Sequence, residues 1–207
     1  MTNRSIAARP FPWLPVLGGL VAIVLITVVV LTFDSGGSGA AEFGEPTITG
    51  AALPRFDDSA TDPAAGMPAP TVEGADFDGQ SVSITSDGRP KIIIFLAHWC
   101  SHCQAEVPVV QAWVDAGLKP DGVDLYSVAT STAESRPNFP PSEWLASEGW
   151  TAPVILDDSD YSVGDVFGLN AFPYWVFVNA DGTVASRLTG ELPADAITQI
   201  AESLLDG

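Results

Sequence analysis

The sequence predicts an α/β fold: a mixed central sheet flanked by helices, opened by an N-terminal hairpin and preceded by a separate transmembrane helix. Three observations carry that expectation. Short unbroken apolar runs alternate with segments of helical period, the pattern of parallel strands joined by crossover helices. The alternation ends in two strands around Asn179-Ala180-Asp181-Gly182, a hairpin that adds an antiparallel edge. Ahead of all this stands Leu14 to Phe33, a stretch of 20 residues without a charge.

That stretch comes first in order. At a helical rise of about 1.5 Å per residue it spans roughly 30 Å, the thickness of a bilayer core. Arg4 and Arg9 precede it, Asp34 follows it, and the next basic residue is Arg55. The positive-inside asymmetry assigns residues 1–13 to the cytoplasm, 14–33 to a single-pass anchor in the cell membrane, and the rest to the extracytoplasmic side. A signal peptide cleaved near Ser38-Gly39-Ala40 is the competing reading, but the apolar run exceeds the usual signal core. Residues 34–66 begin Asp-Ser-Gly-Gly-Ser-Gly and carry prolines at 46, 54 and 63. Their apolar residues are scattered without period, so they read as a flexible tether.

The domain proper is expected over 67–207. Thr71 to Ile84 is a hairpin turning at Asp78-Gly79. Lys91 to Leu96 is a strand buried on both faces, because its apolar run is unbroken. Ser101 to Ala116 has Val107, Val110 and Val114 at helical spacing, with Pro108 expected to kink it. Val123 to Ala129 is the next strand, Pro141 to Glu148 a short helix opened by proline, and Thr151 to Leu156 a brief strand. Ser162 to Gly168 makes a helical turn or two. Tyr174 to Val178 and Val184 to Leu188 form the terminal hairpin, and Pro193 opens the last helix.

The charge is lopsided: 26 acidic residues against 8 basic, a formal net charge of −18. Every acidic residue and six of the basic ones lie beyond Phe33, so that part carries −20. Such a surface is repelled by nucleic acid, whose recognition needs clustered Lys and Arg. The acidity reads as solubility.

The chain has two cysteines, within Trp99-Cys100-Ser101-His102-Cys103. They follow the central apolar strand and open a helix, which turns a weak pattern into a specific one: a redox-active dithiol. Cys100 falls at the N-cap or first turn, where unpaired N–H groups and the helix dipole stabilise a thiolate. Cys103, one turn further, is placed to resolve a mixed disulfide. His102 is positioned to stabilise the Cys100 thiolate further, which would make the pair more oxidising. His98 reads as polar filler at the rim. A metal site built from His98, Cys100, His102 and Cys103 lacks the distant second ligand pair usual for structural zinc. Copper(I) held by two thiolates stays open, and with it a copper-binding, metal-delivery module. A purely structural staple is disfavoured, since so short a loop constrains little of the unfolded chain.

The segment WCSHCQAEVP resembles the membrane-tethered thioredoxin-like proteins of the TlpA and ResA type, which follow WCxxC with an acidic residue and a proline as Glu106 and Pro108 do here. Gly66-Met67-Pro68-Ala69-Pro70, Asp78-Gly79 and Val82-Ser83-Ile84 are similar to that family's opening hairpin, and Ala171-Phe172-Pro173 sits where its cis-proline loop does. The resemblance covers Met67 to Leu205. It implies a thioredoxin-like fold and an extracytoplasmic thiol–disulfide oxidoreductase of the reductase type, with apocytochrome c among the candidate clients; a disulfide-introducing oxidase, favoured by His102, stays open as the alternative. It implies no cofactor beyond the redox-active disulfide Cys100–Cys103. The partners it implies are exported proteins with cysteines and a membrane or extracytoplasmic thiol donor or acceptor. By the same resemblance, Glu106 shuttles a proton to and from Cys103, Trp99 flanks the reactive sulfur, and Phe172 with Pro173 docks the substrate backbone. Family members often carry threonine where Phe172 stands.

Overall fold

In the computed structural model, which describes residues 41–57 and 61–206, twelve elements follow one another. They are β1 (Thr47–Thr49), β2 (Thr71–Ala75), β3 (Ser81–Ile84), β4 (Lys91–Leu96), α1 (Ser101–Asp115), β5 (Asp124–Ala129), α2 (Pro141–Ser147), β6 (Val154–Leu156), α3 (Ser162–Val166), β7 (Tyr174–Val178), β8 (Val184–Thr189) and α4 (Ala194–Ser203). The main sheet has the order β6-β5-β4-β7-β8. Strands β4, β5 and β6 run parallel, while β7 is antiparallel to both β4 and β8. A smaller antiparallel sheet, β1-β2-β3, contains the expected hairpin.

The central strand is buried at every residue because both of its faces are covered. Ile92, Ile94 and Leu96 point to one side, where Val107, Val110 and Trp113 of α1 and Ile197 and Ala201 of α4 meet them. Trp113 donates its indole N–H to Thr198 Oγ1 at 2.9 Å, tying the two helices together. Ile93 and Phe95 point to the other side, against Val72, Ile84, Val163, Phe167 and Tyr174. Each fully buried Ile or Phe contributes roughly 1.5–3 kcal/mol of transfer free energy, so both faces matter to stability.

The second face corrects one expectation. Of the segment 34–66 read as a flexible tether, residues 41–57 and 61–66 belong to the folded unit. Leu53, Phe56 and Ala64 are buried in the second core, and β1 extends the small sheet. Arg187 on β8 locks the segment down. Its guanidinium donates to both carboxylate oxygens of Asp62 (2.8 and 2.6 Å) and to the carbonyls of Pro54 (2.8 Å) and Phe167 (3.1 Å), and it lies over the Phe56 ring at 5.3 Å. An irregular strap needs only a few anchors, so it leaves no period in the sequence.

The span 14–33 lies outside the described residues, as does 34–40. Among the described residues no helix is long and apolar enough to cross a membrane.

Candidate active site

Strand β4 ends at Leu96, and Ala97-His98-Trp99 carries the chain into α1. Cys100 is the N-cap of that helix, with extended backbone angles of φ −79° and ψ 120°. Its amide donates to the Ala97 carbonyl (3.0 Å), and its carbonyl accepts from the Gln104 amide (3.1 Å). No side chain caps the helix, so its first N–H groups are left to serve whatever negative charge forms at the sulfur. Cys100 is partly exposed, and both cysteines are free thiols in mutual contact.

Cys103 is fully buried one turn on, and its sulfur accepts the Ala97 amide at 3.5 Å. Burial pushes its thiol far above the ordinary range. The Ala97 bond pulls slightly the other way, and negative charge at Cys100 or Glu106 pushes further up. The resolving sulfur therefore needs a base before it can attack.

Glu106 supplies a carboxyl on the same buried side of α1, at 1% exposure. The Leu192 amide donates to both of its oxygens, at 3.2 and 3.1 Å. Burial pushes its pKa up to about 7; the Leu192 bond works against this, and the nearby Glu191 charge works with it. A carboxyl that titrates near neutrality is suited to carry a proton in both directions.

Across from the dithiol, the Phe172–Pro173 peptide is cis. The Phe172 carbonyl faces Cys100 Sγ at 4.0 Å, which leaves a strip of backbone beside the half-exposed sulfur. The Phe172 ring meets the Trp99 ring edge-on, with centroids 5.9 Å apart. Trp99 donates to the Ser131 carbonyl (2.8 Å), and the Arg136 guanidinium lies over its ring at 4.6 Å.

Two histidines have partners that the sequence does not mark. His102 is exposed, and the contact the structure gives it is a 2.7 Å bond from Nδ1 to Glu191, a residue whose neighbour Leu192 serves Glu106. His98 is 1% exposed and does more than fill the rim. Its Nε2 accepts the Ala133 amide (3.1 Å), which leaves Nδ1 to donate to the Pro137 carbonyl (2.7 Å). The ring is thus neutral, burial lowers its pKa, and it pins the 131–140 loop behind Trp99. With His98 committed on both nitrogens and His102 on Glu191, the four side chains weighed as metal ligands do not converge. Among the described residues no group of three or more His, Cys, Asp or Glu is placed to hold a metal ion.

Cys100, Cys103, Glu106, Trp99, Phe172 and Pro173 therefore meet at one end of the sheet. Glu191, the Leu192 amide and Arg136 join them without any signal in the sequence. Each lies on a loop far along the chain from the dithiol, in no recognisable motif.

A family model described as Redoxin matches residues 64–205, more than half of the chain. The thiol:disulfide interchange protein HelX of Rhodobacter capsulatus is 30% identical over 122 residues, 58% of this chain and 64% of that protein. The alignment thus spans just under two thirds of HelX. The thiol-disulfide oxidoreductase ResA of Geobacillus thermodenitrificans is 25% identical over 68% of this chain and 78% of its own. Among solved structures, a thioredoxin-family thiol:disulfide interchange protein from Chlorobium tepidum superposes with a TM-score of 0.56 at 25% identity, covering 69% of this chain and 98% of that one.

Proposed function

The chain belongs to the Redoxin family, and we propose that it is an extracytoplasmic thiol–disulfide oxidoreductase that reduces disulfides of exported proteins. The observation that carries the reading is the pairing of two unlike sulfurs. Cys100 is half-exposed at a helix N-cap beside the Phe172 carbonyl, while Cys103 is buried next to a carboxyl poised near neutrality.

The steps follow from that asymmetry. The Cys100 thiolate attacks a client disulfide; the client S–S bond breaks, and one client sulfur leaves as a thiolate. The client backbone lies against Phe172 and Pro173, and its side chains lie over Trp99. Glu106 then takes the proton of Cys103, whose sulfur attacks Cys100. The mixed disulfide breaks, Cys100–Cys103 forms, and the second client thiolate departs. Two electrons have passed to the client, and an extracytoplasmic or membrane dithiol restores the reduced pair. Residues 14–33 serve as the anchor that keeps the domain at the outer face of the membrane.

The test is to trap the intermediate. Cys103→Ala expressed in the native membrane is expected to hold clients as mixed disulfides that reductant releases, and Cys100→Ser to hold none. Repeated absence of adducts would overturn the reading. A potential near thioredoxin's, about −270 mV, fits a reductase, whereas one near −120 mV would reverse the direction of flux.

A further inference from the structure

The short segment Gly190-Glu191-Leu192 between β8 and α4 links the cis-proline strand to the helix that carries the dithiol. The Gly190 amide donates to the Pro173 carbonyl (2.9 Å), and the Trp175 indole donates to the Gly190 carbonyl (3.1 Å). The Leu192 amide donates to the Glu106 carboxyl, and the Glu191 carboxylate takes the His102 ring at 2.7 Å. His102 and Glu106 lie four apart on α1, hence on one side of the helix. The segment is therefore fastened to the first two turns of α1 at two points on that side: an exposed one, His102, and a buried one, Glu106.

We propose that Glu191 and His102 are positioning residues: their pair clamps the 190–192 segment across α1, holds the Leu192 amide on the Glu106 carboxyl, and so sets the pH at which Cys103 is released to attack. The inference rests on Glu106 being the base for Cys103. The titratable groups that face Glu106 are Cys103 from its own helix and Glu191 from the β8–α4 connection. The two halves of the pair act oppositely. The Glu191 charge favours the protonated Glu106, while the amide it helps to place favours the ionised form. His102 holds the segment in register through its bond to the Glu191 carboxylate.

The pair is exposed, with side-chain values of 67% for His102 and 49% for Glu191, so substitutions leave the core untouched. The probe is an aromatic disulfide whose thiolate is coloured. Reduced full-length protein attacks it through Cys100 and releases one coloured thiolate; Cys103 then displaces the second. The rate of that second release is followed against pH by rapid mixing.

The wild-type midpoint should lie near the Glu106 value of about 7. Glu191→Gln keeps a partner for His102 but removes the charge, and should lower the midpoint by about 0.5 unit. His102→Ala loosens the clamp and with it the hold of the Leu192 amide on Glu106, and should raise it by about the same amount. Glu106→Gln should abolish the midpoint, and adding Glu191→Gln to it should change nothing. A Glu106→Gln profile that has lost its midpoint, with both pair variants within about 0.1 unit of wild type, overturns the clamp alone. A wild-type midpoint that survives Glu106→Gln overturns the role of Glu106, and the clamp with it.

Discussion

Glu106 and Asp157 are the two buried carboxyls among the described residues, at 1% and 2% exposure, and they have opposite surroundings. Asp157 follows β6 and receives four donors: the Thr130 hydroxyl (2.6 Å) and the amides of Asp158 (2.9 Å), Val163 (2.9 Å) and Gly164 (3.1 Å). It takes the Val163 and Gly164 amides at the open N-terminus of α3, whose first amide, that of Ser162, goes to the neighbouring Asp158 carboxylate at 3.0 Å. Glu106 receives one amide, shared between its two oxygens. Burial pushes both pKa values up, but at Asp157 four bonds pull against it and at Glu106 only one does. Donor count thus separates a carboxylate that holds a fold together from one left free to gain and lose a proton.

The largest effect expected from this contrast is on stability. Asp157→Ala strips the acceptor from four buried donors and should cost about 3–5 kcal/mol in urea unfolding. Glu106→Gln keeps an acceptor for Leu192 and should leave stability at acid pH nearly unchanged. Similar losses in the two variants would break the distinction.

The second expectation concerns pH. The Glu106 pKa is raised from an ordinary 4.5 to about 7, so between those values the folded chain holds a proton that the unfolded chain has released. Its stabilising contribution is complete below the ordinary value and is lost as pH rises through 7. The difference is of order 3 kcal/mol. Glu106→Gln should remove that part of the decline between about pH 5 and pH 8, measured as urea midpoints at each pH. An unchanged decline would show that Glu106 does not bind its proton in the folded state as its burial requires.

The contrast also explains what could be read from the sequence. The apolar run of β4, the dithiol after it and Pro173 leave local marks, because strand burial, helix starts and turn prolines are local physics. Glu106 could be picked out because it lies one turn from Cys103 on the same helix. The groups that decide its chemistry could not: the Leu192 amide and the Glu191 carboxylate come from a loop 86 and 89 residues away in partnership with Glu106 and His102. His102 is expected beside the thiolate from spacing alone, and its bond to Glu191 arrives through tertiary structure. The strap over 41–57 and 61–66 was hidden for the same reason, since Arg187 and Asp62 pair across 125 residues. The Asp157 network likewise joins residues that are 27 and six apart through the meeting of β5, β6 and α3.

The smallest effect makes Asp157 more like Glu106. Thr130→Val keeps the shape of the side chain and removes one of the four donors. At neutral pH it should cost about 1.5 kcal/mol, the low end for one hydrogen bond to a charged group, because the site keeps three others. The loss should also depend on pH. The Thr130 bond lowers the Asp157 pKa, so its removal raises the folded-state value further above the unfolded one. Stability is then present at low pH and lost as pH rises through that higher value, and the variant should lie closer to wild type at about pH 4 than at about pH 7. Urea midpoints at the two pH values check this. An equal loss at both would mean that Thr130 acts through packing alone, and that donor count does not set the proton affinity of a buried carboxyl in this fold.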